Sequence, residues 1–324
     1  MRHHHKGGAL ISALFITAIA AMIATALAMQ QRLLIHESEL ILHSDQGYLN
    51  CQIMQAAAKT EVAKYALQFN GQANTALRLF PLPVKLTPLK MNGMILRASL
   101  DDEQGKFNLN NLVFKDNQPQ FIVLLRAVMP SISEEQAVAI AKATTHWMTT
   151  GVDDPAYLQG NPAYRSSKIM MANSRELRLI LGVTPKIYSA LSPYITALPI
   201  PFKTSSVNAS VAPVQAQGTQ ININSVSAPV LLTTGSNLTM SQVKKLLVCR
   251  DHLGVINNLQ EFMSQCAEPA GISTLNNLTS RSTYFSVKTQ AQYKDHEVIL
   301  NSLLVTEPAK NNTLNVITVW QEFE

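Results

Sequence analysis

The chain has 324 residues, of which 47% are hydrophobic, and its formal net charge at pH 7 is +5. This length and hydrophobic content exclude a disordered chain and are sufficient for two packed cores. The charge is modest and scattered along the chain, so it indicates solubility rather than nucleic-acid binding. The three cysteines exclude a disulfide-rich scaffold.

The first element is an uncharged stretch of 21 residues from Ala9 to Met29. At a rise of ~1.5 Å per residue, a helix of this length matches the hydrocarbon core of a membrane, so we predict a transmembrane span. Arg2 and Lys6 precede the span, and the positive-inside rule therefore predicts a cytoplasmic N-terminus and an outward-facing remainder. The triplet Ala26–Ala28 leaves a cleaved secretory signal open, although the hydrophobic part of such a signal is usually only ~7–15 residues long.

Helical periodicity continues beyond the span. Apolar residues at helical spacing, such as Leu49 and Val62, extend the predicted helix to a stop at Asn70-Gly71. On this amphipathic part, we expect Cys51 to be a small packing residue. After a proline-rich turn, the stretch MNGMILRASLDDEQGKFNLNNLV alternates apolar and polar residues and predicts short antiparallel strands.

The pattern then changes to helical periodicity. The stretch FIVLLRAVMPSISEEQAVAIAKATTHWMTTG predicts two helices, with Ser131 or Ser133 as the N-cap of the second. SRELRLILGVTPKIYSALSPYITALP predicts two more, the first opening at Asn173 or Ser174 and the second with Pro185 as its first helical residue.

Part of this pattern recurs later in the chain. FNLNNL followed by helices has a counterpart about 110 residues later in ININSV, which helical stretches also follow. We interpret these as two related helical modules, each entered through an asparagine-marked extended segment. The last stretch, from STYFSVKTQ to VITVWQEF, predicts three strands by its near-alternation. Strands thus lie on both sides of the helical part, which favours a sheet divided by an inserted domain.

Two pairs of residues are candidate sites. Cys249 and Cys266 are 17 residues apart in one predicted helical unit of an outward-facing domain, so we predict a disulfide; two buried thiols are the alternative. Asp153 and Asp154 are adjacent carboxylates in a loop between helices, and such oxygen ligands suit a hard cation such as calcium. The alternative is that one of them caps a helix or makes an Asx-turn before Pro155.

The sequence lacks recognisable catalytic motifs. Neither H-E-x-x-H, nor G-x-S-x-G, nor a phosphate-binding Gly-rich loop is present, so an enzyme is not expected. The second module resembles helix-hairpin-helix units, some of which hold DNA phosphates through the amides of a Gly-x-Gly hairpin. Here the hairpin around Gly235-Ser236-Asn237 lacks the second glycine, and the same module carries the negative Glu261 and Glu268, which argues against nucleic-acid binding.

These features together resemble a known family. A short basic leader ending in glycine, an uncharged helix, a divided sheet and an inserted helical domain are similar to the minor pseudopilin K family of the type II secretion system. The strongest local matches are DDEQGKFNLNNL at Asp101–Leu112, YRSSKIMMANSRELRLILGVTPKIYSALSPYITALP at Tyr164–Pro199 and ININSVSAPVLL at Ile221–Leu232. With the leader, they are spread over nearly the whole chain.

The resemblance implies how the chain is processed and where it acts. The prepilin peptidase would cut between Gly8 and Ala9, and the new amino terminus would be open to methylation. Ala13 stands where most pilin-like subunits carry glutamate, and subunit K usually lacks that glutamate. The implied role is a non-enzymatic subunit at the tip of the secretion pseudopilus, anchored by one span in the bacterial inner membrane with its C-terminal domain in the periplasm.

The resemblance also implies partners and a cation. The partners are the minor pseudopilins I and J, with H and the major pseudopilin as further candidates, and no nucleic acid. The inserted domain of the family is associated with structural calcium, which points to Asp153 and Asp154, although the acidic loop here is short. A membrane-anchored nucleic-acid-binding protein of a DNA-uptake filament and a permanently anchored periplasmic module are the alternatives.

The predicted fold is α+β, with a pilin-like long N-terminal helix, an antiparallel sheet, and a large helical domain of two helix-hairpin-helix or SAM-like modules inserted between strands. The predicted divisions are a leader at 1–8, the helix at 9–71 with its span at 9–29, the first part of the sheet at 72–115, the inserted domain at 116–278 with modules at 116–200 and 219–270, and the C-terminal strands at 279–324.

Overall fold

The computed structural model describes residues 8–68, 83–149, 151, 154–200, 218–308 and 314–324. The first element, α1, is one helix of 61 residues, Gly8–Gln68. No proline interrupts this stretch, so each backbone amide beyond the first turn keeps its helical hydrogen bond. The predicted stop at Asn70-Gly71 lies outside the described residues.

The remaining elements form one main sheet and a helical part. The strands of that sheet come from the segments before and after the helical part in the chain. In chain order they are β1 (Val84–Lys85), β2 (Leu89–Met91), β3 (Met94–Asp102), β4 (Phe107–Asn108), α2 (Gln118–Val128), α3 (Glu134–Met148), α4 (Pro155–Leu158), α5 (Pro185–Leu191), β5 (Ile195–Thr196), β6 (Ile221–Asn222), α6 (Ala228–Leu231), α7 (Met240–Leu253), α8 (Leu259–Phe262), β7 (Leu278–Thr279), β8 (Tyr284–Tyr293), β9 (His296–Pro308) and β10 (Leu314–Phe323).

An antiparallel sheet of six strands packs against the second half of α1. Its order is β1-β3-β8-β9-β10, and β2 pairs with β3. β3 and β8 are neighbours, with Asp102 opposite Phe285 and Ile95 opposite Gln292. The strand that leads into the inserted domain thus lies beside the strand that returns from it. The predicted long helix and the antiparallel sheet divided by an insertion are confirmed.

The first boundary of the inserted domain differs from the prediction. We expected the first part of the sheet to extend to residue 115, but β4 leaves the sheet and pairs in parallel with β5. Phe107, Leu109 and Leu112 are buried in one core with Phe121 of α2. The first part of the sheet therefore ends with β3 at Asp102, because the apolar side chains that follow Asp102 pack inside the helical domain.

The same short parallel pairing occurs twice in the inserted domain, as β4 with β5 and as β6 with β7. Asn108, at the end of β4, accepts a hydrogen bond from the backbone N–H of Asn110 (3.1 Å). Asn222, at the end of β6, accepts the equivalent bond from Asn224 (3.0 Å). Both asparagine-marked entries therefore have the same local conformation, whereas the modules' helix-hairpin-helix character stays a prediction.

Capping explains where several helices of the inserted domain begin. Ser133 is the N-cap of α3, and its side chain accepts from the N–H of Gln136 (3.1 Å). Pro185 is the first residue of α5. The segment after Asn173 is a short 3-10 helix, Ser174–Leu179, instead of the expected α-helix.

Candidate functional site: the exposed helix and the joint of the inserted domain

The first half of α1 is an apolar helix without a protein partner among the described residues. Its large side chains are exposed, including Leu14, Phe15, Met22 and Leu27. By length and composition, α1 is able to cross a membrane. A surface of this kind is stable only when lipid or another protein covers it.

The second half of α1 has two different sides. One side is buried on the sheet through Cys51, Met54, Ala58 and Val62, which pack in the cores shared with β3, β8 and β9. The opposite side carries three exposed apolar residues, Leu42, Leu49 and Ile53, which we call the outward stripe. Their spacings of seven and four residues place them along one face of the helix. The helix therefore docks on its own sheet while keeping a second apolar face open.

A glycine allows the helix to approach the sheet closely. A Cβ atom at Gly47 would lie 2.7 Å from Cγ2 of Val298, so a larger residue requires the strand to shift. About two turns further along, the amide of Gln55 donates to Oγ of Ser302 (2.6 Å). Gly47 and Gln55 thus fix the height at which the helix crosses the sheet.

A buried carboxylate joins the inserted domain to the sheet. Asp102, at the end of β3, is 2% exposed. Its Oδ2 accepts hydrogen bonds from Ser225 Oγ (2.6 Å), Ser282 Oγ (2.6 Å) and Asn222 Nδ2 (2.9 Å). Burial raises the pKa of the Asp102 carboxyl, while these donors act in the opposite direction. One side chain therefore holds the exit strand, the second module and the returning chain together.

The neighbouring Gln104 strengthens this contact. Its Oε1 accepts from the backbone N–H of Thr283 (2.6 Å), just before β8, and its Nε2 donates to the carbonyl of Gln220 (3.0 Å). We call Asp102, Gln104, Asn222, Ser225 and Ser282 the joint.

An ion pair lies next to the joint. Lys106 Nζ is 2.6 Å from Oε1 of Glu103 and 3.6 Å from Oδ2 of Asp101. Burial is the strongest single influence and raises the pKa of Glu103, but the charge of Lys106 and the hydrogen bonds of Lys106, Thr196 and Ser286 together outweigh burial and hold that pKa below its usual value. Burial would lower the pKa of Lys106, but the carboxylates of Glu103 and Asp101 together raise it instead. Glu103 and Lys106 therefore both stay charged. Each charge compensates the other, which a charge removed from water requires.

A second contact ties the inserted domain to the C-terminal strand. Nη1 of Arg175 lies 2.6 Å from Oε1 of Glu322, and its Nη2 lies 2.6 Å from Oε1 of Glu324. A cleft of about 340 Å³ separates this contact from the joint, and it is lined by charged and small polar residues of both parts together with Trp320. The inserted domain is thus held to the sheet at two places.

The predicted processing residues lie at the start of α1. Gly8 is its first residue and Ala9 its second. The helix is continuous from there, and a leader ending at Gly8 would leave α1 as the first element of the mature chain. Cleavage between the two residues stays a prediction.

The predicted cation pair is only partly described. Asp153 lies outside the described residues. Asp154 is the N-cap of α4, and its Oδ1 accepts from the N–H of Ala156 (2.9 Å), which is the capping alternative. Within the described ranges, no three His, Cys, Asp or Glu side chains are grouped so that they could hold a metal. The described residues therefore leave calcium at Asp153 and Asp154 as a prediction from the two carboxylates and from the resemblance.

The predicted cysteine pair lies between α7 and the turn after α8. The structure joins Cys249 and Cys266, with Cα atoms 5.7 Å apart, within the usual range for a disulfide. Cys51 is a buried thiol, as expected of a packing residue.

The hairpin considered for DNA binding does not have the geometry of a tight Gly-x-Gly turn. Gly235 is extended (φ −131°, ψ 148°), and the left-handed conformation is adopted two residues later by Asn237 (φ 61°). Nothing in this geometry favours the DNA-uptake alternative.

Comparisons with known proteins agree with the resemblance. The family model of type II secretion system protein K matches residues 105–200. Type II secretion system protein K of Pseudomonas aeruginosa is 26% identical over 249 residues, which are 71% of this chain and 68% of the relative. The protein K of Pectobacterium carotovorum is 25% identical over 332 residues, which cover 94% of this chain and 93% of the relative.

A solved structure shares the fold. A chain of the crystal structure of the GspK-GspI-GspJ complex from the enterotoxigenic Escherichia coli type 2 secretion system matches with a TM-score of 0.61 and 19% identity, over 87% of this chain and 98% of that chain. The solved structure shows the fold, whereas the family model and the two relatives confirm the resemblance to type II secretion system protein K and support a minor pseudopilin of type II secretion. The sequence had not indicated the joint or Arg175, because their partners lie far away along the chain.

Proposed function

We propose that this chain is a non-enzymatic minor pseudopilin that assembles at the tip of the type II secretion pseudopilus with pseudopilins I and J. The observation that carries the proposal is the contrast within α1. Its second half is docked on its own sheet, whereas its first half and the outward stripe are apolar and exposed. A permanent anchor would explain the first half but would not explain an apolar stripe above it.

The proposal gives α1 two successive environments. In the inner membrane, lipid covers the first half, with the N-terminus in the cytoplasm and the sheet and inserted domain in the periplasm. During assembly, the apolar helices of other subunits replace the lipid, which costs little because both environments are apolar. Supporting this order, α1 is one uninterrupted helix that carries a membrane-length segment and a docked segment on the same axis.

Maturation would precede assembly. Removal of residues 1–8 by the prepilin peptidase leaves 324 − 8 = 316 residues beginning at Ala9, with an amino terminus open to methylation. Ala13 takes the place of the glutamate that pairs with a neighbour's amino terminus in most pilin-like subunits. A subunit without that carboxylate suits a position with no subunit above it, and the inserted domain adds bulk at that end. Calcium is not required by any step of this account.

Recovery of the full chain from detergent-solubilised membranes tests the proposal. When I and J are produced in the same cells, both should be recovered with the chain, and antibody labelling of sheared pseudopili should mark their ends. Gly8→Asp should remain uncleaved and should recover neither partner, while its sheet and inserted domain stay folded. Recovery of the unaltered chain without I or J, or labelling along the whole filament, would contradict the proposal.

A further inference from the structure

The last strand of the sheet has an open edge. β10 pairs with β9, and no other strand in the described ranges pairs with it. Ile299 and Glu324 exchange two backbone hydrogen bonds (3.0 and 2.9 Å). Because such pairs alternate along antiparallel strands, Trp320 and Glu322 also direct their backbone groups to β9. The N–H and C=O groups of Gln321 and Phe323 therefore point away from the sheet.

This edge has few of the features that usually prevent strand addition. Natural edge strands are protected by lysine, proline, short length or bulges. β10 has ten residues, LNVITVWQEF, without lysine, arginine or proline. Its protection is one irregularity of register between Thr318 and Trp320 and one charged residue, Glu322, which is paired with Arg175. Ile317, Val319 and Phe323 are exposed on it. An edge of this composition is suited to receiving another strand.

The edge is continuous with the flank of α1. Gln321 donates to the side-chain oxygen of Gln55 (2.9 Å), and the ring of Phe323 packs edge-on against Tyr48, with centroids 5.5 Å apart. Ile41, seven residues before Tyr48, lies on the same flank and is exposed. A strand added to β10 would therefore also lie beside the helix, next to apolar side chains.

We propose that β10 is a docking edge to which a neighbouring pseudopilin of the tip complex adds an extended strand. The unpaired backbone groups require an extended segment, and main-chain hydrogen bonds supply its affinity. The occupant is a pseudopilin because a partner whose helix covers the outward stripe brings its own globular part to the height of β10. This inference rests on the proposed function and adds the surface through which the partner is held.

Photo-crosslinking in native membranes tests this docking. A photoreactive amino acid is placed at Ile317 or Val319 of the full chain and, as a control, at Val248, an apolar residue of α7 in the inserted domain. Val319 is 39% exposed and Val248 is 58% exposed, so the control is the more accessible position. With I and J present, the edge positions should give an adduct with one of them, identified by mass spectrometry, and Val248 should give none.

A charge at the edge gives a second measurement. Val319→Lys should reduce the recovery of the crosslinked partner about tenfold or more, because a strand does not add readily past a charged edge residue. Val248→Lys should leave the recovery unchanged. Adducts with a second copy of the chain or with a secreted protein, or equal recovery with Val319→Lys and no edge adduct, would overturn strand docking while leaving the proposed function intact. Failure of the unaltered chain to recover I or J would overturn both.

Discussion

The two halves of α1 belong to one helix, yet they differ in what they contact. The second half buries Cys51, Met54, Ala58 and Val62 on the sheet, whereas the large apolar side chains of the first half are exposed. The residue types are similar, so composition alone does not decide which part is a core. The chain therefore packs the second half of α1 by itself and leaves the first half to lipid or to other subunits.

Two methionines, one in each half of α1, test this difference in packing. Met54 is 3% exposed and Met22 is 62% exposed on the same helix. Met54→Ala should lower the free energy of unfolding by about 2–5 kcal/mol, because it leaves a cavity between helix and sheet. Met22→Ala should change it by no more than about 0.5 kcal/mol. Thermal unfolding in detergent measures both, and equal effects would contradict the contrast.

The inserted domain extends the comparison to a region that needs neither lipid nor partner for its core. We propose that Cys249 and Cys266 form a disulfide in the native protein, as they do in the structure. Replacing both by serine should cost about 3 kcal/mol by loop-closure entropy and should destabilise the inserted domain first. Intact mass before and after reduction and alkylation checks the pairing. Two free thiols in protein from the native compartment would contradict it.

The joint connects the sheet to the inserted domain, and removing its carboxylate tests that connection. Asp102→Ala should cost about 1–3 kcal/mol, because Asn222, Ser225 and Ser282 are left without their shared acceptor. Hydrogen exchange should rise around residues 222–226 and 279–284, while the packing of Met54 is kept. Unchanged exchange in these two segments would show that the joint does not hold the parts together.

The same residue predicts a pH dependence. Since burial raises the pKa of Asp102 in the folded state, the folded chain binds this proton more tightly than the unfolded chain. Its contribution to stability is therefore fully present below the unfolded pKa of ~3.9 and is lost as pH rises towards the folded pKa. Asp102→Asn should remove that slope in pH-dependent unfolding. The lowered pKa of Glu103 gives the opposite slope and should persist in the variant.

The smallest effect is expected at the second contact. Arg175 is partly exposed where it meets Glu322 and Glu324, so Arg175→Ala should cost no more than about 1 kcal/mol. The loss should shrink further at high salt, because exposed ion pairs are screened. Unfolding at two salt concentrations measures this. A loss as large as that of Asp102→Ala would mean that the contact, and not the joint, positions the inserted domain.

The sequence predicted the features that depend on local pattern. The continuation of α1 past the span followed from apolar periodicity, and the divided sheet followed from alternation at both ends of the chain. The asparagine-marked entries were found because FNLN and ININ place the same residue type at the same local turn. Each of these signals lies within a few residues along the chain.

The features that were missed depend on contacts between distant residues. The carboxylate of Asp102 finds Ser282, 180 positions later, and nothing in DDEQG distinguishes it from the neighbouring Asp101. The departure of β4 from the sheet follows from its pairing with β5, which no local pattern shows. At Asp154, the cap and the cation site predict the same residue types, so the sequence left both open.

Intact mass with N-terminal sequencing of protein from its native membrane shows whether α1 is the first element of a mature pilin-like subunit. The account predicts a chain of 316 residues beginning at Ala9, with or without one methyl group, since 324 − 8 = 316. A chain beginning at Met1 would indicate a plain anchor, and one beginning at Met29 a cleaved secretory signal. Either result would contradict assembly through the exposed half of α1.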